Sequence, residues 1–233
     1  MRTLDVCLSP DLMHLYPVED CTVVVVDILR ATSCITTAVA HGVESVTPFS
    51  NLDACKSMSS QGYITAGERN GEKVEGFDLG NSPFEYMEDT LRGQRIAFTT
   101  TNGTHAIERS KGAEEIIIGS FLNQSAVVDH LRGKDSNILV VCAGWKGKVN
   151  LEDTLYAGML VEKLKDDLEP ACDAPLMAHH LYREGCADMV GFLKNSSHVK
   201  RLGRLNIKDD IAFCLTPDQY IVVPKLTNGA ITL

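Results

Sequence analysis

Residues 21–27, CTVVVVD, carry four consecutive valines with no polar alternation, and the run stops at an acid. An unbroken apolar run of this length predicts a strand covered on both faces. Residues 31–41 then predict a helix, closed by Gly42. The alternation continues, with further strands predicted at 3–8, 45–49, 63–66, 95–99, 115–118 and 137–143. Between them, residues 11–16 predict a short helical turn, and helices are predicted at 51–61, 83–91, from about 104, and at 123–131. Asn51 caps the second of the long helices, while Ser82, Pro83 and Glu85 suit an N-cap, a first helical position and a capping box. A helix at 155–168 takes Glu152 and Asp153 into its first turn. Beyond it the pattern predicts helix at 178–182 and 187–193, a turn at 195–198, and final strands at 211–215 and 220–223. Strands alternating with helices make an α/β fold with a largely parallel or mixed sheet, with room for two lobes around a cleft. There is no internal repeat and no low-complexity linker, so residues 1–233 read as one domain.

One stretch breaks the rhythm. Residues 67–83, GERNGEKVEGFDLGNSP, are rich in glycine and acid and long for a connection inside a compact domain. Phe77 and Leu79 within it predict a loop that is docked rather than loose.

Candidate chemistry gathers where strands end. In open α/β sheets ligands bind outside the carboxyl ends of the strands. Asp27 stands there, followed by Arg30, Thr32 and Ser33. Its bland reading is a helix N-cap. Residues 100–104, TTNGT, follow another strand, and a hydroxyl-rich turn before a helix suits a phosphate or sulfonate as well as it suits a plain turn. Glu68 first, then Glu72, Glu75 and Asp78, are loop carboxylates that either enter a site or simply face solvent. Asn81 and Ser82 read as ligands or caps, and Glu152 and Asp153 as metal ligands or as dipole partners. His198 lies beside the basic cluster of Lys200, Arg201 and Arg204.

Charge sharpens this picture. The formal net charge is −9, which argues against a nonspecific nucleic-acid binder. A small anionic substrate then needs local arginine, lysine or metal against the overall field. Carboxylates with hydroxyls suit Mg²⁺ rather than zinc, and no HExxH or Cys/His zinc spacing is present. GxxxxGK[ST] is absent too, against a P-loop nucleotide hydrolase. A haloacid-dehalogenase-like phosphatase places a second acid two positions after its strand-end Asp, and here that position is Leu29. The eight cysteines contain no CxxC pair and mostly lie in apolar runs, which predicts buried free thiols in a reducing cytoplasm. No apolar run is long enough to span a bilayer, and the first residues carry no apolar signal segment.

Taken together, VVVDILRAT at 24–32, GERNGEKVEGFDLGNSPFE at 67–85, TTNGT at 100–104 and CAGWKGKVNLEDTLYAG at 142–158 resemble the 2-phosphosulfolactate phosphatase (ComB) family. SSHVKRL at 196–202 and the run DDIAFC extend the likeness more weakly. The resemblance implies a three-layer α/β/α fold and Mg²⁺-dependent hydrolysis of (R)-2-phospho-3-sulfolactate to 3-sulfolactate and phosphate, a step of coenzyme M biosynthesis. It implies Asp27, Arg30 and Glu68 as catalytic residues, and Asp27, Glu68, Asp78, Glu152 and Asp153 as the metal set. Thr32, Ser33, Asn81, Thr101, Asn102, Gly103, His198 and Arg201 are expected to hold substrate. Val199-Lys200 after His198 departs from the family's usual Gly-Arg. A cytoplasmic location and a homodimer are the accompanying expectations. Two alternatives stand beside this reading: a phosphatase for another phosphorylated 2-hydroxy acid, and a non-catalytic binder of small anions.

Overall fold

The computed structural model describes residues 2–205 and 207–233. Eleven strands form one sheet. In chain order they are β1 (Thr3–Cys7), β2 (Cys21–Val26), β3 (Ser45–Pro48), β4 (Ile64–Arg69), β5 (Glu72–Lys73), β6 (Arg95–Thr99), β7 (Glu115–Gly119), β8 (Asn137–Cys142), β9 (Glu169–Pro170), β10 (Lys225–Thr227) and β11 (Ala230–Thr232). Their order across the sheet is β5-β4-β6-β3-β11-β10-β7-β2-β8-β1-β9. Two parallel blocks result, β4-β6-β3 and β7-β2-β8-β1, and the antiparallel hairpin β10–β11 joins them.

The valine run explains the layering. Val24 and Val26 pack into one apolar cluster, and Val23 and Val25 into another on the opposite face. Period-two side-chain alternation sends neighbours to opposite faces, so both faces of β2 need cover. One face is covered by α4 (Gln124–Arg132), α5 (Leu151–Leu164), α6 (Asp173–Gly185), α7 (Met189–Leu193), α8 (Ser197–Leu202) and α9 (Lys208–Cys214). The other carries α1 (Ala31–Ala40) and α3 (Gly103–Arg109). A short helix α2 (Leu52–Ser57) closes a smaller cluster around Cys55, Phe77 and Ala97. This is a three-layer α/β/α sandwich with a mostly parallel sheet. Each fully buried valine contributes roughly 1.5–3 kcal/mol, so β2 anchors the fold. Helices α5 and α6 cross so closely that a Cβ at Gly158 would lie 1.9 Å from the Ala178 carbonyl oxygen.

Several expectations are corrected. Residues 211–214 belong to helix α9 and Leu215 is its C-cap, while Asp209 and Asp210 occupy the favourable first turn. Residues 220–223 carry no strand; the last strands are β10 and β11, turned by Asn228 and Gly229, both at positive φ. Such an Asn-Gly pair is a tight-hairpin signal. The turn expected at 195–198 runs instead into α8. Residues 83–91 form two short 3₁₀ turns, and the Ser82–Glu85 capping box does not form. Glu85 accepts from the Gly80 N–H instead, at 2.9 Å. Glu68 lies in β4, so the stretch at 67–83 begins as strand and turns back through β5. All eight cysteines are free, but Cys172 and Cys186 are exposed and Cys21 is half-buried. Among the described residues no helix is long and apolar enough to cross a membrane.

Candidate active site

A cleft opens where β2, β4, β6 and β8 end. Its lining includes Asp27, Arg30, Glu68, Asn102, Trp145 and Arg201, with Asn81 and His198 also facing it.

The floor is built around Asp27, which directly follows the last valine of β2 and is 7% exposed. The turn after it is closed by two hydrogen bonds: Asp27 N–H donates to Thr32 Oγ1, and Thr32 N–H donates to the Asp27 carbonyl, both at 3.0 Å. Ser33 Oγ donates to the Ile28 carbonyl at 2.9 Å. Thr32 and Ser33 therefore spend their hydroxyls on the turn and start α1, and neither lines the cleft. That corrects their expected contact with substrate. Asp153 accepts from the backbone N–H groups of Ile28 (2.9 Å) and Gly144 (3.0 Å). It clamps the ends of β2 and β8 to α5 and does not line the cleft. Gly103 comes against the floor from α3, where a Cβ would stand 2.8 Å from Asp27 Oδ2 and 2.7 Å from Ala31 Cβ. Glycine there is demanded by close approach, and Gly103 shapes the pocket without lining it.

Burial, then the charges of Glu68 and Glu152 against that of His198, raise the Asp27 carboxyl to about 7. Asp153 is raised well above its ordinary value by burial, Glu152 and Asp27. A site that crowds acids this way at a strand end is arranged for a counter-charge.

Glu68 enters from β4. It accepts from the Thr101 N–H (2.8 Å) and the Gly71 N–H (2.6 Å), so it ties the 100–104 turn to the β4–β5 hairpin while lining the cleft. Glu152 is fully buried behind the cleft, in the first turn of α5. One of its oxygens faces His198 Nδ1, and Asn150 Nδ2 lies 3.1 Å from the same nitrogen. The other, Oε2, has no hydrogen-bond partner among the described residues. Asn81 Oδ1 and Thr101 Oγ1 are orphaned in the same way. Asp78 is elsewhere: it accepts from Thr65 N–H and Oγ1, both at 2.8 Å, on an exposed edge. The loop geometry that makes it a good partner for Thr65 removes it from the metal set.

The cations differ in their circumstances. Arg30 is buried, its guanidinium paired with Asp210 of α9 and also donating to the Gly71 carbonyl at 3.1 Å. Arg201 makes no ion pair among the described residues, and its buried Nη2 has no partner there. Its Cζ lies over the Trp145 ring, 3.7 Å from the ring centroid. Asp210, Trp145, Asn150 and Asn70, the last of which also lines the cleft, lie outside the candidate residues that the sequence suggests. Asp210 is 180 positions from Arg30, beyond any spacing rule. Trp145 precedes a stretch rich in lysine and acid, KGKVNLED at 146–153, where the charged residues carry the stronger signal.

The remaining oxygen donors, Asp27, Glu68 and Glu152 with the orphaned Asn81 Oδ1, have the chemistry of a hard divalent cation. Among the described residues no three His, Cys, Asp or Glu side chains form a ready cage. Mg²⁺ needs none, since it is usually held by one or two carboxylates, substrate phosphate and water.

The model of the 2-phosphosulpholactate phosphatase family matches residues 7–229. This chain belongs to that family. Proteins named probable 2-phosphosulfolactate phosphatase are similar to it over nearly their whole length. That of Thermotoga petrophila is 44% identical over 231 residues, 99% of this chain and 98% of the relative. That of Caldanaerobacter subterraneus subsp. tengcongensis is 42% identical over 215 residues, 90% and 89% of the two chains. In Clostridium acetobutylicum the relative is 38% identical over 233 residues, 98% and 99%. Membership in the 2-phosphosulfolactate phosphatase family makes this an enzyme of the phosphoric monoester hydrolase class, and a phosphate ester is a substrate that fits the cleft's mixture of acids and guanidinium groups.

Proposed function

We propose that this enzyme hydrolyses (R)-2-phospho-3-sulfolactate to 3-sulfolactate and inorganic phosphate, in a Mg²⁺-dependent reaction of coenzyme M biosynthesis carried out in the cytoplasm. The observation that carries this reading is the pairing, in one cleft, of a carboxylate floor with two guanidinium groups. The names of the relatives support the same substrate.

Asp27, Glu68 and Glu152 would hold the metal. When bound, Mg²⁺ acts as a Lewis acid that withdraws charge from the phosphoryl oxygens. The residues of the chain do the rest. Arg30, fixed by Asp210, presents an immobile positive charge beside Asp27 for the phosphoryl group. Glu68 holds the 100–104 turn through the Thr101 N–H and so sets the width of the cleft. Glu152 orients the His198 ring through Nδ1. In-line attack by water forms a new P–O bond as the ester P–O bond breaks, and the proton lost by the water goes to the departing alkoxide, which becomes the hydroxyl of 3-sulfolactate. Attack by Asp27 would instead form an aspartyl phosphate that water then hydrolyses to phosphate.

The test is phosphate release from 2-phosphosulfolactate with Mg²⁺ and with EDTA. Metal-dependent release is the expected result. Undiminished release in EDTA would refute the metal's part, and release from 2-phospholactate at an equal rate would refute the sulfonated substrate.

A further inference from the structure

The two arginines in the cleft are not equivalent. Arg30 is already paired with Asp210 and also donates to the Gly71 carbonyl. Arg201 brings a charge with no ion-pair partner among the described residues and a buried Nη2 with no acceptor. A buried donor left unsatisfied is destabilising, so such a group is kept for an acceptor that arrives. Burial pushes the guanidinium below its ordinary value, and the charges of Glu152 and Glu68 push it back up, so it stays a cation.

Trp145 makes this possible. Its ring supports the Arg201 guanidinium at 3.7 Å, and Lys146 Nζ lies 4.7 Å from the same centroid. A stacked guanidinium keeps its in-plane N–H fork free while its flat face is held. The Trp145 loop is itself anchored across the cleft, because the Lys146 N–H donates to Asn102 Oδ1 at 3.1 Å. The cleft thus carries two chemically distinct sets of groups. One is a floor of carboxylates for a hard cation and a phosphoryl dianion. The other is an indole and a weakly hydrated guanidinium, suited to a weakly hydrated monoanion with three equivalent oxygens.

We propose that Trp145 and Arg201 form a sulfonate subsite that sets the enzyme's preference for a sulfonated ester over an unsulfonated one. Arg201 takes the sulfonate oxygens, and Trp145 is its positioning residue. The inference rests on the substrate class argued above.

The experiment compares kcat/KM for 2-phosphosulfolactate and for 2-phospholactate in the wild type, Arg201→Met, Arg201→Lys and Trp145→Leu. Losing a charge-assisted hydrogen-bond donor should reduce the preference for the sulfonated ester by roughly 10- to 100-fold. The lysine variant should recover only part of it, because it keeps the charge without the planar fork. Equal losses for both esters, with the preference preserved, would overturn the subsite while leaving the phosphatase reading intact. Turnover of neither ester by the wild type would overturn that reading and the inference with it. A measurement needing no variant stands beside these. Trp145 is the only tryptophan in the chain, so its emission reports this set of groups alone. A saturable change with 3-sulfolactate and none with lactate is expected. No change with 3-sulfolactate, or the same change with lactate, would contradict the subsite.

Discussion

The two sets of groups in the cleft use the same kinds of side chain in different ways. Around Asp27 several polar groups are committed, Arg30 to Asp210, Asp153 to two backbone N–H groups and Glu68 to two more, while Glu152 Oε2 and Asn81 Oδ1 stay open for a cation. Beside Trp145, Arg201 is supported by a ring that takes none of its hydrogen bonds. Commitment fixes charges where a reaction needs geometry that does not relax. An uncommitted donor is what recognition needs, because its energy is realised only when a ligand arrives.

The largest effect should come from the floor. Asp27→Asn should lower kcat/KM on the order of 10³-fold or more, which steady-state kinetics on the phosphate ester will show. Near-normal turnover would take Asp27 out of the chemistry. Next comes Asp210→Ala. It leaves a guanidinium buried and unpaired, and chemical denaturation should register a loss of about 3–5 kcal/mol. Arg201→Met has no pair to break, so its stability should stay within about 1 kcal/mol of wild type. If the two variants were equally destabilised, the contrast between the two sets would fail.

A smaller effect concerns pH. The Asp27 carboxyl sits near 7 in the folded protein against an ordinary value of 3.8. Between those values the folded state binds more protons than the unfolded one, so stability must fall as pH rises. In metal-free protein this contribution is fully present below about pH 4 and is lost as pH climbs through 7. Asp27→Asn should flatten that part of the profile and raise Tm at pH 8 by a few degrees, at about 2–4 °C per kcal/mol. A profile identical in wild type and variant would show that burial does not act on Asp27 as described. The smallest effect should follow Asp78→Asn. It weakens the grip on Thr65 by about 1 kcal/mol and leaves kcat/KM within about twofold, since Asp78 lies outside the cleft.

How far the sequence could be read tracks how local each signal is. The valine run, Gly42 and the alternation of strand and helix are local, and β2, α1, β6 and β8 fall where the pattern puts them. Residues 211–215 are an apolar pentad, IAFCL, which suits a strand or a buried helix turn equally. Its neighbours Asp209 and Asp210 decide for helix, and Asp210 is called there by Arg30. The Asn228-Gly229 turn was a readable hairpin signal, although its strands are only three residues each. At the site, residue type did not separate Glu152 from Asp153. They are adjacent in the chain, but a helical step of about 100° turns one toward His198 and the other onto backbone N–H groups. Asp78 and Glu68 share a loop in sequence, yet only Glu68 reaches the cleft from β4. Thr32 and Ser33 illustrate the same limit, since a hydroxyl that could meet a ligand can also close a turn.

The most direct test of two separate anion-binding sets is double inhibition. Turnover of 2-phosphosulfolactate is measured while inorganic phosphate and 3-sulfolactate are varied together. Two sets predict that the inhibitors bind at the same time, so plots of reciprocal rate against one of them steepen and intersect as the other is raised. Parallel lines, meaning that each inhibitor excludes the other, would contradict the account.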